Sequence, residues 1–184
     1  MKNNLTSDDA LTRVFKISKI SSFRQLIDAV RVMPYGRNAD RKDLSLVWTE
    51  QRGSCSSKHA FLKWVADLNR IPNVQLMVCI FKMSAVNTPA VASILRENCL
   101  SYIPEAHCYL QVEGQPLDVT FPHSSIQTIL PDVLVTKSVS IDYVIEDKIT
   151  FHQLYLKRWL LEESLAYDFE RLWDIREACI TALG

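Results

Sequence analysis

The sequence predicts an α+β fold in a single domain spanning residues 1–184. Three observations carry this expectation: apolar positions at helical spacing near both ends of the chain, strand-length runs of β-branched and large apolar residues between them, and a hairpin signal at Glu113-Gly114. With 184 residues the chain is long enough for one real core, and too short for two domains unless both are small.

Residues 7–18 and 22–33 read as helices with Ser and Asp caps, and Met33-Pro34-Tyr35-Gly36 closes the second. Phe23, Leu26, Ile27 and Val30 make its apolar stripe. Gly36 to Lys42 is basic and polar, a loop, after which Leu44 to Trp48 leads to a helix starting at Cys55. Within that helix Ala60, Phe61, Trp64, Val65 and Leu68 share a face, and Asn69-Arg70-Ile71-Pro72-Asn73 stops it. Val74 to Met83, dense in β-branched residues and bounded by breakers, is a buried strand. Thr88 is placed to cap a helix that Pro89 opens and Ala90 to Glu97 continue. Residues 107–112 and 116–121 flank the hairpin turn, Val133 to Ile145 holds one or two further strands, and residues 148–182 hold two helices. Phe151, Leu154, Tyr155, Trp159 and Leu160 stripe the first of these, and Phe169, Leu172, Trp173, Arg176, Cys179 and Ile180 the second, as core or as a homodimer contact.

Apolar residues make up 48% and charged residues 23%, an ordinary globular composition. Lys plus Arg and Asp plus Glu are both 21, so there is no net field to draw in nucleic acid or an acidic membrane surface. The polar start of the chain lacks a secretion signal, and no apolar run reaches the ~18 residues a membrane span needs. Five cysteines without regular spacing argue against a disulfide framework, and the expectation is a cytoplasmic protein.

The chemistry-bearing segment is Gly53-Ser54-Cys55-Ser56-Ser57-Lys58-His59, which puts the Cys55 thiol at a helix N-terminus. There the helix dipole and the unpaired amides of the first turn favour thiolate over thiol. Downstream stand His107, in Glu105-Ala106-His107-Cys108-Tyr109, and Asp118, in Pro116-Leu117-Asp118-Val119-Thr120. The hairpin allows a geometric test. With Glu113 and Gly114 as its central residues, Val112 pairs with Gln115, Leu110 with Leu117, Tyr109 with Asp118 and His107 with Thr120. His107 and Asp118 then become diagonal neighbours on one face, roughly 6 to 8 Å apart at Cβ. A one-residue shift in the turn would send them to opposite faces.

In order and context these residues resemble the transglutaminase-like superfamily, of bacterial type, whose papain-like core sets a nucleophilic Cys on a helix against an antiparallel sheet carrying His and Asp. Gly53-Ser54-Cys55 with Ala60 and Leu62 resembles the nucleophile segment, Asn69-Arg70-Ile71-Pro72 the turn that follows, His107 the base motif, and Leu117-Asp118-Val119-Thr120 the third motif. The likeness covers about residues 48–122 and leaves the helical flanks, 7–33 and 148–182, outside it. His107 and Asp118 are closer in sequence than is usual for the family, which a hairpin two residues shorter on each strand accommodates. Tyr109 stands near the family's aromatic position after the histidine.

The resemblance implies a papain-like Cys-His-Asp enzyme. Cys55 thiolate attacks an amide or ester carbonyl, His107 carries the proton to the leaving group, and Asp118 orients His107. The backbone amide of Cys55 is the natural first donor to the oxyanion, with the side chains of Gln51 or Trp48 as candidates for the second. The implied partner is a peptide, protein or small amide substrate, with no cofactor, no metal, no nucleic acid and no membrane. Three alternatives stand beside this. His59, one turn beyond Cys55, is a rival base. With Cys55, His107 and Cys108 it could instead bind zinc, although Cys108 should face away from His107 on an alternating strand. The fold could also be kept as a non-catalytic binding or assembly module.

Overall fold

The computed structural model describes residues 3–183. The helices are α1 (Ala10–Ile17), α2 (Phe23–Val32), α3 (Leu46–Thr49), α4 (Cys55–Leu68), α5 (Ala92–Glu97), α6 (Lys148–Glu162) and α7 (Phe169–Thr181). The strands are β1 (Val74–Ser84), β2 (Tyr102–Val112), β3 (Gln115–Leu117) and β4 (Val133–Val139). Together they make an α+β fold with seven α-helices and a four-stranded antiparallel sheet, ordered β3-β2-β1-β4, among the described residues. No helix there is long and apolar enough to cross a membrane.

Local chemistry explains most element starts. Asp9 caps α1 by accepting from Thr12 N at 2.9 Å, and Asp168 caps α7 by accepting from Arg171 N at 2.7 Å. Ser22 with Gln25, and Ser54 with Ser57, form reciprocal capping boxes that open α2 and α4. Thr88 behaves otherwise. Its hydroxyl donates to Asn87 Oδ1 at 3.0 Å and makes no cap, so Pro89 opens a 3-10 turn (Pro89–Val91) before α5 begins. The run expected to hold one or two strands holds β4 alone, followed by a π-helical turn, Tyr143–Asp147.

The hairpin register is the one the two-residue turn predicts: Leu110 opposite Leu117, Gln111 opposite Pro116, and Val112 opposite Gln115. Gly114, at φ +78°, and Glu113, at φ +51°, supply the left-handed backbone that a tight turn requires. The strand expected at 116–121 instead ends at Leu117, so Asp118 and Thr120 lie beyond the ladder.

The chain packs as two compact units. The first comprises Met1–Met77, Cys108–Ile126 and Ser138–Ile141. Its core gathers Phe23, Leu26 and Val30 of α2 with Phe61, Leu62 and Val65 of α4. Phe15 of α1 packs edge-on against Phe61 and Trp48, its ring centroid 6.0 Å and 4.8 Å from theirs. Buried Asn69 ends α4 and ties it to α1, donating to Thr12 Oγ1 at 3.0 Å and accepting from Ser7 N at 2.9 Å.

The second unit comprises Val78–His107, Gln127–Lys137 and Asp142–Gly184. Leu95, Ile103, Leu156, Leu172 and Ile175 are buried in it. Glu105 of β2 is also buried and accepts a two-pronged hydrogen bond from Arg176 of α7, through Nε at 2.7 Å and through Nη2. His152 of α6 donates from Nε2 to Pro104 O at 2.9 Å. The buried positions of α6 are Lys148, His152, Leu156 and Trp159, whereas Leu154 is 62% exposed. Two polar residues thus stand where the sequence alone pointed to apolar ones.

Candidate active site

Cys55 is the first residue of α4, so its own N–H belongs to the first turn, where backbone amides have no helical acceptor. The turn is held rigidly, because Ser54 Oγ accepts from Ser57 N at 3.3 Å while Ser57 Oγ accepts from Ser54 N at 2.9 Å. Cys55 is 9% exposed, and its Sγ lies 3.9 Å from Ser56 Oγ, the hydroxyl to which Cys108 Sγ donates at 3.6 Å.

Just before the turn, Gly53 pairs with the chain that closes α2. Its N–H donates to Pro34 O at 3.2 Å and its carbonyl accepts from Gly36 N at 3.3 Å. A Cβ at Gly53 would lie 2.9 Å from both Lys58 Cγ and Ser57 Oγ, so glycine is needed for close approach.

Lys58 and His59, successive residues one turn into α4, both reach the segment that carries Asp118. Lys58 is wholly buried, and its ammonium donates to Met33 O at 2.6 Å, Thr120 O at 2.9 Å and Val119 O at 3.4 Å. Burial lowers its pKa to about 8, with the Asp118 charge acting to raise it and Arg31 to lower it further. His59, also wholly buried, accepts from Val119 N at Nε2 (2.9 Å), and its Nδ1 stands 2.7 Å from Cys55 O. A carbonyl only accepts, so Nδ1 carries the proton, Nε2 does not, and the ring is neutral. Asp118 Oδ1 lies 3.6 Å from His59 Nε2, too long for a hydrogen bond and within ion-pair range only if the ring is charged.

Asp118 is buried, and its Oδ1 accepts from Thr120 N at 2.8 Å and Thr120 Oγ1 at 2.6 Å. Its own carbonyl accepts from Arg31 Nη1 of α2 at 2.7 Å. From Asp118 O to Thr120 O, side chains take up the main-chain groups that a longer β3 would have paired across the sheet. That accounts for how the strand can stop at Leu117.

The remaining sequence candidates are placed as follows. His107, in β2, is half-buried in the second unit, with Phe81 meeting its ring edge-on at 6.1 Å. Cys55 and Asp118 belong to the first. Gln51 is exposed, in the left-handed region at φ +53°, and its amide donates to Trp48 O. Trp48 is half-buried, its ring against Phe15. Both nitrogens of His59 are engaged within the first unit, and among the described residues no group of three His, Cys, Asp or Glu is placed to hold a metal ion.

Arg31 and Lys58 were not among the sequence candidates. Lys58 had a legible signal: it precedes Phe61, Leu62 and Val65 by three, four and seven residues, the spacing of one helix face, and those three are core. A cation in that register must find acceptors inside. Compared with known proteins, the chain matches no family model, no curated protein and no solved structure.

Proposed function

We propose that the protein is a cysteine-dependent hydrolase or acyltransferase with a transglutaminase-like, papain-related core, acting on an amide bond of peptide or isopeptide type. The observation that carries this reading is Cys55 as the first residue of a 14-residue helix closed by a capping box, the setting in which a thiol ionises readily. Asp118, buried and fixed beside the same helix through His59 and Lys58, adds the orienting carboxylate.

Cys55 thiolate adds to the substrate carbonyl, whose oxygen becomes the oxyanion facing the Cys55 N–H. His107 imidazolium gives its proton to the departing amine as the C–N bond breaks, leaving a thioester. Water or an acceptor amine then loses its proton to His107 and attacks the thioester, and the thiolate is released. A cytoplasmic setting, where thiols stay reduced, suits this chemistry.

Iodoacetamide labelling followed by mass spectrometry of the Cys55 peptide tests the reading. Labelling at neutral pH should be fast, and about 10-fold or more slower in His107→Ala, as loss of a thiolate's partner implies. Equal and sluggish labelling of both would overturn it. A panel of amide and ester substrates, run with wild type and Cys55→Ala, then identifies the class of bond. The small exposure of Cys55 favours one competing reading, a non-catalytic module that keeps the fold. Slow labelling together with an inactive panel is its signature.

A further inference from the structure

We propose that Arg31, Lys58 and His59 are positioning residues that hold the Asp118 carboxylate in place relative to the Cys55 helix by gripping the backbone that follows β3. The inference rests on the Cys55-His107-Asp118 reading and adds to it the residues that would make the third member effective. Arg31 holds the carbonyl of Asp118 itself, His59 the N–H of Val119, and Lys58 the carbonyls of Val119 and Thr120. The fourth grip is Asp118's own, through Oδ1 on Thr120 N. Two of the three residues sit on the helix that Cys55 opens, and His59 also takes the Cys55 carbonyl at 2.7 Å. One rigid turn therefore carries the thiol and sets the carboxylate segment.

The way the grip is built separates positioning from stability. A buried cation is an expensive fastening: replaced together with its partners by apolar groups it is often no loss, whereas removed alone it leaves its buried acceptors unpaired. Here burial pushes the ammonium down to about 8 against the opposing pull of Asp118, so Lys58 is held at a cost in folding free energy. What the ammonium supplies is direction, with three donors aimed at carbonyls of two chain segments. His59 likewise binds as a fixed neutral tautomer, because the Cys55 carbonyl takes its one proton. A carboxylate displaced by about an ångström would orient its imidazole poorly and lower reactivity by as much as about 100-fold.

The test is the pH profile of Cys55 alkylation, measured on the full chain with iodoacetamide and read by mass spectrometry, beside thermal unfolding of each variant. Asp118→Asn should slow labelling at pH 6 by about 10- to 100-fold and move the profile to higher pH. Lys58→Met and His59→Leu should reproduce that shift while remaining folded, and Lys58→Met combined with Asp118→Asn should be no slower than Asp118→Asn alone. Arg31→Met should shift the profile in the same direction, and Arg31→Lys should restore part of it. If these variants melt earlier but keep the wild-type profile, the proposal fails while the catalytic reading stands. If wild type labels slowly and Asp118→Asn changes nothing, the catalytic reading itself fails, and the positioning role with it. Should Lys58→Met not fold, the Arg31 pair decides, since its bond to Asp118 O is made from a half-buried residue.

Discussion

Gly53 is where the Cys55 turn tolerates least change. A methyl group there would press on the stem of Lys58, which cannot swing away because its ammonium is bound to three carbonyls. Gly53→Ala should therefore destabilise by about 1–3 kcal/mol, the usual result of overpacking, read as a lower urea midpoint at unchanged slope. Lys58 leaves a signature in pH. Its pKa falls from 10.5 when exposed to about 8 in the fold, so between those values the unfolded chain holds a proton that the folded chain has released. Unfolding free energy should then rise with pH across that window in wild type, and the rise should be smaller in Lys58→Met, as urea titrations at pH 8 and 10 will measure. The sequence singled out Cys55 and Asp118 as candidates through their neighbours. It left the character of Lys58 open, because a lysine on an apolar face can equally extend its head to water.

Among the elements, α4 is the clearest. Its start at Cys55 was readable because a short polar stretch gives way there to apolar residues at helical spacing, and the fold closes it with a Ser54–Ser57 capping box. Ser54→Ala should cost about 1 kcal/mol of stability, measurable as a lower thermal midpoint, and should loosen the turn that presents Cys55. The hairpin was readable too, since a two-residue turn sets its own register. The end of β3 was not: Pro116 and Leu117 look like any strand continuing to Thr120, and what stops it is side chains from α2 and α4. In α6 the periodicity was right and Trp159 is buried as expected, but the buried face is turned away from Leu154. His152 turns inward to Pro104 O, and Lys148 lies buried on the same side one turn earlier. β2 and α7 are joined by Glu105 and Arg176, and removing one partner strands the other. Arg176→Met should cost about 3–5 kcal/mol, and a further Glu105→Leu change should recover much of it, by thermal unfolding of the single and double variants.

For the molecule as a whole, the same buried groups set the response to acid. His152 has its pKa lowered, first by burial, with the nearby Glu105 charge opposing. On acidification the unfolded chain takes up the proton near the ordinary value of 6.5 while the folded chain does not, so stability should decline as pH falls below about 6.5. Burial pushes the Glu105 carboxyl up, but Arg176 and His152 more than offset it and carry it below its ordinary 4.5. Its stabilising share is present above that pH and is lost as the pH falls through the folded-state value. Urea unfolding at steps from pH 7.5 to pH 3.5 should show both declines, and a flat curve above pH 5 would contradict the reading of His152.

Short-range chemistry was enough to give the α+β class, the start of the Cys55 helix and the hairpin turn, because caps, periodicity and turn residues act over a few positions of chain. Tertiary structure alone decided which polar residues go inside. Lys58 meets Met33 from 25 residues away and Thr120 from 62, and Arg176 meets Glu105 across 71. A polar side chain is buried only where acceptors or counter-charges wait for it. Those partners are assembled by folding, and no local pattern announces them.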